Sequence, residues 1–203
     1  MKLFKHYKPL VISVTAAATI AASMIGLTTS NASAAPLDKV IVVFQDNTGH
    51  LNVAGSGSLT NMPLMPGTSP ALARLTNGGA EDAFQSSNGT LIISGTAGNI
   101  NTGIGMMPGT SPSITSLPNG GYEVAVQANT GDLWTYGSAS VGSQGRVDLG
   151  MMKGTSPAIT GLSNGGYEVA VQANTGNLWT YGTVGTGDQH LGMMTGTNPA
   201  IIS

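Results

Sequence analysis

The stretch Gly-Gly-Tyr-Glu-Val-Ala-Val-Gln-Ala-Asn-Thr-Gly-Asn-Leu-Trp, residues 165–179, recurs almost unchanged at residues 120–134. The longer segments 109–138 and 154–183 match without gaps at 25 of 30 positions. Within each stretch, apolar residues alternate with polar or small ones on either side of an Asn-Thr-Gly turn, a pattern typical of two antiparallel strands. The recurrence therefore predicts a tandem array of β-units.

Two short motifs indicate that the array contains four repeats. Gly-Thr-Ser-Pro, with Asn for Ser in the last copy, begins at Gly67, Gly109, Gly154 and Gly196. A Gln followed by a polar turn and Leu begins at Gln45, Gln85, Gln127 and Gln172. Each of the first three motifs lies 18 residues before the next Gln, whereas the distance from Gln to the next motif varies from 22 to 27. Because loops tolerate insertions and paired strands do not, the variable part contains an exposed loop.

Each repeat carries signals for four short strands, and no segment after residue 36 has helical periodicity. Four short antiparallel strands in 42 to 45 residues are typical of a propeller blade. We predict an all-β fold, a small β-propeller of four four-stranded blades. We expect the ring to close by pairing of residues 200–203 with the strand near residues 40–44, because these fragments together make one blade. The alternative is half of a larger ring that a second chain completes.

The first 34 residues have the features of a secretory signal peptide. Three lysines lie among the first eight residues, a largely apolar run follows, and Ala-Ser-Ala at residues 32–34 is a small-residue cleavage site. We predict a signal peptide over residues 1–34, a four-repeat propeller domain over residues 36–203, and a secreted, extracellular protein. A retained membrane anchor is the weaker interpretation, since no stop-transfer charge follows the apolar run.

Charge and cysteine content exclude several classes of partner and site. Beyond residue 34 there remain four Lys and Arg against nine Asp and Glu, a net charge of −5. The four positive residues are scattered, whereas a groove for nucleic-acid phosphates needs them dense. We expect neither nucleic-acid binding nor membrane insertion. The absence of cysteine excludes disulfides and thiolate metal sites.

The sequence offers no convincing catalytic group. Residues 161–165 match the Gly-x-Ser-x-Gly nucleophile pattern, but the equivalent turns of other repeats carry Thr76 and Pro118 in place of Ser163. His50 and His190 occupy different positions in the repeat, and neither has carboxylates at a metal-site or triad spacing. An active site also needs different residues that converge once, which a repeat does not provide. We expect no enzyme activity, no cofactor and no metal.

Residues 165–179 resemble the blades of propeller lectins such as the tachylectin-2-like group. They are also similar in style to secreted actinobacterial propellers such as the dispase autolysis-inducing protein, which acts on a protease. The first resemblance implies sugar binding, and the second implies a protein partner. Lectin propellers usually have five to seven repeats, whereas this chain has four. That difference leaves a homodimer that shares one ring as an alternative.

Repetition suits binding, since the same small pocket on several blades gives avidity. Sugar sites combine an aromatic face with amides or carboxylates, and two repeats carry the whole set. The candidate ligand-binding residues are Glu123, Gln127, Asn129, Trp134 and Tyr136, with Glu168, Gln172, Asn174, Trp179 and Tyr181 at the same places one repeat later. The Trp side chains either pack between blades or stack on a ligand. The repeat near residues 84–95 lacks the Tyr and Trp and is expected to bind little or nothing.

Two classes of function follow from these observations. The first is a secreted lectin-like carbohydrate-binding protein with repeated weak sites for glycans. The second is a protein-interaction module that acts on a secreted or cell-surface protein such as a protease; a structural cell-surface protein is a less specific option. Equivalent aromatic and amide pockets on several blades favour the lectin, and one large apolar patch favours the protein partner.

Overall fold

The structure, a computed structural model, describes residues 40–54, 61–138 and 145–203. The predicted signal peptide lies outside these residues. The described residues form fourteen antiparallel strands in four sheets and contain no helix. Consequently, no helix in the described part of the chain could cross a membrane. The all-β prediction is confirmed.

Each sheet corresponds to one sequence repeat, and we call the sheets blades 1 to 4. Blade 1 consists of β1 (Val42–Gln45) and β2 (Leu51–Ala54). Blade 2 consists of β3 (Ala71–Arg74), β4 (Ala80–Gln85), β5 (Thr90–Gly95) and β6 (Ile100–Gly105). Blade 3 consists of β7 (Ser113–Ser116), β8 (Tyr122–Gln127), β9 (Asp132–Gly137) and β10 (Gly145–Gly150). Blade 4 consists of β11 (Ala158–Gly161), β12 (Tyr167–Gln172), β13 (Asn177–Gly182) and β14 (Gly187–Gly192).

The strand order in blades 2 to 4 is a simple meander, with each strand beside its neighbours in sequence. Register is the same in each blade: Ala83 opposes Ile93, Ala125 opposes Thr135, and Ala170 opposes Thr180. Because side chains alternate between the two faces of a strand, equivalent residues of different repeats point to equivalent sides. The repeat alignment can therefore be used to compare the junctions between blades.

The hydrophobic core is divided among the junctions between successive blades. Leu91 and Ile93 of blade 2 pack against Val124 and Val126 of blade 3. A larger cluster, which includes Leu133 of blade 3, joins blade 3 to blade 4. The cluster between blades 1 and 2 is smaller and contains three buried apolar residues among those the structure describes: Leu51, Leu64 and Phe84. Of the three junctions, the first is therefore the least well filled by the described residues.

The Gly-Thr-Ser-Pro motifs connect each blade to the next. The backbone N–H of Ser69 donates to Ser111 Oγ at 2.9 Å, and that of Ser111 donates to Ser156 Oγ at 2.9 Å. In the next step, the N–H of Ser156 donates to Asn198 Oδ1 at 2.7 Å. The Asn of the fourth copy thus provides the same acceptor as the Ser of the others.

Closure of the ring within one chain is not confirmed. Within the described residues, β1 pairs only with β2, and residues 200–203 form no strand ladder. Ser203 instead lies beside β11, where its Oγ donates to the Gly161 carbonyl at 2.7 Å. The innermost strands follow one another as β3, β7 and β11, with β1 next to β3 at the other end. Residues 200–203 and β1 therefore lie at opposite ends of the series of blades.

Candidate functional site

The predicted glutamines are fully buried and connect neighbouring blades. Gln127 Nε2 donates to the Met152 carbonyl at 3.0 Å, and its Oε1 accepts from the N–H of Gly154 at 2.9 Å. Gln172 makes the same pair of contacts with Met194 and Gly196. A buried amide with both ends bonded to backbone is a structural group. We assign Gln127 and Gln172 to the fold rather than to a ligand.

The predicted glutamates are also buried. Glu168 Oε2 accepts from the N–H of Val184 at 2.9 Å, and Glu81, at the same place in blade 2, accepts through Oε1 from the N–H of Ala97 at 2.7 Å. These two contacts hold the loop after the third strand in blades 4 and 2. Glu123 occupies the same place in blade 3 and is 1% exposed. The predicted glutamates therefore lie beneath the surface.

The four aromatic residues lie at the junctions between blades. Trp134 and Tyr136 pack against the cluster between blades 2 and 3, and Trp179 and Tyr181 pack against the cluster between blades 3 and 4. All four are only partly buried. Within the described residues, the indole Nε1 of each Trp is buried without a hydrogen-bond partner. Each indole ring thus packs an apolar face against the core, and its N–H has no acceptor among the described residues.

The predicted asparagines are exposed on the turns between the second and third strands. The N–H of Asn129 donates to the Gly105 carbonyl at 2.9 Å, and that of Asn174 donates to the Gly150 carbonyl at 3.0 Å. A Cβ at Gly105 would lie 2.5 Å from Asn129 Nδ2, so a larger residue there would require the Asn129 amide to move. The backbone contact fixes each turn and leaves the side-chain amide at the surface.

Asn129 and Trp134 line one cavity of about 390 Å³ between blades 2 and 3. Its other wall is the segment 102–105 of β6, which contributes the hydroxyl-bearing Thr102 and two glycines. An amide, an indole and small residues thus surround a space of the size that small-molecule sites occupy. The structure brings these two predicted residues of blade 3 together here.

A larger cavity, of about 580 Å³, lies between blades 1 and 2, and sequence reasoning missed it. Its lining includes Arg74, Asp82 and Ser94. Burial and the negative charge of Glu81 raise the pKa of Asp82 to about 7. The sequence signal for this cavity was Asp82, a charged residue at a strand position where the other repeats have Val. In the described part of the chain, no group of three or more His, Asp or Glu residues is arranged to hold a metal.

Comparison of the structure with solved structures decides the fold. The Aleuria aurantia lectin in complex with α-methyl-L-fucoside superposes with a TM-score of 0.57 at 16% identity, over 80% of this chain and 62% of the lectin chain. The same lectin with Fucα1-6GlcNAc superposes with a TM-score of 0.56 at 15% identity, over 80% and 67%. This chain has the β-propeller fold.

A fucose lectin from Kordia zhangzhouensis with methyl-fucoside also matches, with a TM-score of 0.39 at 16% identity, over 58% of this chain and 96% of the lectin. No protein-family model and no curated protein sequence matches. The two superpositions on the Aleuria aurantia lectin agree with the predicted propeller fold. The narrower resemblances, to tachylectin-2-like repeats and to the dispase autolysis-inducing protein, stay predictions.

Proposed function

We propose that this protein is a secreted, lectin-like carbohydrate-binding protein. The observation that carries the proposal is the cavity between blades 2 and 3, because it combines Trp134 with the exposed amide of Asn129. An indole face packs against the C–H side of a sugar ring, and an amide both donates to and accepts from hydroxyl groups. The likeness to fucose-binding lectins supports a binding role rather than an enzymatic one.

The sites we propose are repeated but not identical. Asn174 and Trp179 occupy the same places in blade 4, and Asn174 approaches Gly150 as Asn129 approaches Gly105. A sugar that binds weakly at one blade would bind more tightly when a branched or clustered glycan reaches two. A glycan partner therefore agrees with the geometry better than a single protein partner does.

Replacing Trp134 tests the proposed site. We expect Trp134→Ala to lower the affinity for neutral glycans at least tenfold, because the stacking surface is lost. It should also lower the free energy of unfolding by about 2 kcal/mol, less than for a fully buried Trp, because the ring is only partly buried. Glycan binding is measured on an array and by isothermal titration calorimetry, and unfolding by urea denaturation.

Trp134→Phe separates the two effects, since it keeps the apolar face and removes the indole N–H. We expect Trp134→Phe to be nearly as stable as the unmodified protein and to bind glycan with intermediate affinity. Unchanged binding by both variants would refute the site. Failure of the unmodified protein to bind any glycan would refute the function and favour a secreted protein partner.

Secretion is part of the proposal and is tested separately. The apolar run and the Ala-Ser-Ala sequence before residue 35 support export. Expression of the full chain in an exporting bacterium should yield a protein in the medium whose amino terminus is Ala35. An unprocessed, cell-retained product would contradict it.

A further inference from the structure

The junction between blades 1 and 2 differs from the other junctions in what fills it. Tyr136 and Val124 fill the second junction, and Tyr181 and Val169 fill the third. When the repeats are aligned on their glutamines, the corresponding residues of blade 2 are Ser94 and Asp82. Two large apolar side chains are thus replaced by small polar ones, and the cavity of about 580 Å³ occupies that space.

Asp82 and Ser94 lie side by side on one wall of this cavity. They oppose each other across β4 and β5, so their side chains share the face that is turned to blade 1. Arg74 lines the same cavity, where the other repeats have Ser116 and Gly161. Arg74, Asp82 and Ser94 therefore all differ from the other repeats, and all three line the same cavity. Unrelated substitutions at the protein surface would not place three polar residues in one junction between blades.

Asp82 is the most unusual of these residues. It is only 5% exposed, and within the described residues its Oδ2 has no hydrogen-bond partner. A buried carboxylate oxygen without a partner destabilises a fold. The sheet does not require it, since Val124 and Val169 serve the same strand position in blades 3 and 4. A group that the fold does not need and that points into a cavity indicates a ligand.

We propose that this cavity is a second, non-repeated binding site for a neutral, hydroxyl-rich ligand of one or two sugar rings. Asp82 accepts hydrogen bonds from ligand hydroxyls, and Arg74 in the same cavity disfavours an ammonium ligand. The opposite wall is apolar and suits the C–H face of a ring: Ile41, Val43, Val53 and Leu72. The ligand class rests on the proposed function, but the location and the residues do not. This differs from the expectation that blade 2 binds little or nothing.

The test restores the residue that the other repeats carry. Asp82→Val should fold, since Val occupies this position in blades 3 and 4. We expect it to lower affinity at this site at least tenfold for a panel of neutral monosaccharides, methyl α-L-fucoside among them, measured by saturation-transfer NMR. Ser94→Tyr, which fills the cavity with the side chain of its sister repeats, should have the same effect. Asp148→Val, which changes an exposed carboxylate of blade 3, is the matched control and should bind normally.

Tryptophan fluorescence distinguishes this site from the one in blade 3. The chain has two Trp residues, and neither lines the cavity between blades 1 and 2. Sugar binding here should leave the indole emission unchanged, whereas binding beside Trp134 should shift it. Normal sugar binding by Asp82→Val and Ser94→Tyr would overturn this site and leave the proposed function standing. No sugar binding by the unmodified protein would overturn both.

A second inference comes from a different observation, the two open strand edges of the series. Within the described residues, β1 has a partner strand only on the side of β2. In blades 2 to 4 the equivalent strand also pairs with an inner strand, as β12 does with β11. Val42, on β1, is 48% exposed, whereas its equivalent Val169 is fully buried in the cluster between blades 3 and 4. In the described part of the chain, no preceding blade covers this face of β1. Among the described residues, blade 1 therefore lacks the inner strand that blades 2 to 4 have.

Residues 200–203 have the sequence and the position of such an inner strand. Pro-Ala-Ile-Ile-Ser at residues 199–203 corresponds to Pro-Ala-Ile-Thr-Gly at residues 157–161, which contains β11. Asn198 and Ser203 fix the segment against blade 4 through Ser156 and Gly161. Its other side faces away, and Ile202 is 91% exposed. These hydrogen bonds hold the segment against blade 4 in a position where its other edge can pair with a further strand.

We infer that two copies of the chain join head to tail in one ring, with residues 200–203 of each copy beside β1 of the other. The register follows from the other blades: Ala158 opposes Ala170 and Ile159 opposes Val169, so Ala200 would oppose Val43. The new contact continues the blade-to-blade interface already formed three times in the chain. Pairing would also cover the exposed apolar residues of both edges.

Light scattering after size-exclusion chromatography tests the assembly on protein recovered from the medium of an exporting host. We expect twice the mass of one chain. Ile202→Asp should give single chains, since it places a charge in the new junction without disturbing a contact within the copy. Thr175→Asp, on an exposed turn of blade 4, should remain a dimer. A monomeric unmodified protein, or a dimer that Ile202→Asp does not separate, would overturn the inference.

Discussion

Asp82→Val is expected to raise the free energy of unfolding by roughly 4 kcal/mol at pH 8, an estimate from a pKa difference of about three units at 1.36 kcal/mol each. The pKa of Asp82 is about 7 in the folded protein and 3.8 in a solvated chain. The folded state therefore binds the proton more tightly than the unfolded state. The contribution of Asp82 to the free energy of unfolding is therefore greatest below pH 4 and decreases as the pH rises to about 7, above which it is constant. Val at this position removes that loss.

The pH dependence provides the control. Glu81 lies next to Asp82, burial raises its pKa too, and its negative charge raises the pKa of Asp82. Arg74 lines the same cavity. Subtracting the unfolding free energies of the two proteins at each pH gives what Asp82 adds, its interaction with Glu81 included. The difference should grow between pH 4 and pH 7 and then level off. A difference in unfolding free energy that does not change with pH would contradict the expectation. So would a variant that is less stable than the unmodified protein at pH 8.

Gly137→Ala is expected to lower the free energy of unfolding by about 3 kcal/mol or more, since the interior there is overpacked by one methyl group against backbone. A Cβ at Gly137 would overlap the Tyr122 carbonyl oxygen and lie 2.5 Å from Glu123 Oε2. Gly137 opposes Glu123 across β8 and β9, so neither strand can move without breaking the ladder. The melting temperature should fall by about 10 °C, given 2–4 °C per kcal/mol for a chain of this size.

Gly187→Ala is the matched control for this effect. Gly187 begins β14, and a Cβ there would meet no atom within 4 Å. We expect the melting temperature of Gly187→Ala to stay within about 2 °C of the unmodified protein, as for surface substitutions in general. Gly182→Ala should behave like Gly137→Ala, because its Cβ would overlap the Tyr167 carbonyl oxygen in the same way. Equal melting temperatures for Gly137→Ala and Gly187→Ala would show that the strands adjust.

The agreement between repeats accounts for what could be predicted about the candidate site. Repetition showed that Gln127 and Gln172 have one role, and the structure shows that this role is contact between blades rather than ligand binding. Repetition could not show which way an alternating side chain faces. Glu123 and Glu168 were therefore grouped with the ligand candidates, although both are buried. Exposure depends on which sheet covers a face, and that is not a local property.

The sequence by itself determined the all-β class, the four repeats and the strand positions within them, because alternation and turn residues act over a few neighbouring positions. It also marked residues 200–203 as an inner strand. Only the tertiary structure decided where that strand lies, since pairing depends on the curvature summed over all blades. It also decided that Asp82 and Ser94 face an unfilled junction. Whether a polar residue is exposed, satisfied or buried beside a cavity depends on the neighbouring sheet, which is distant in sequence.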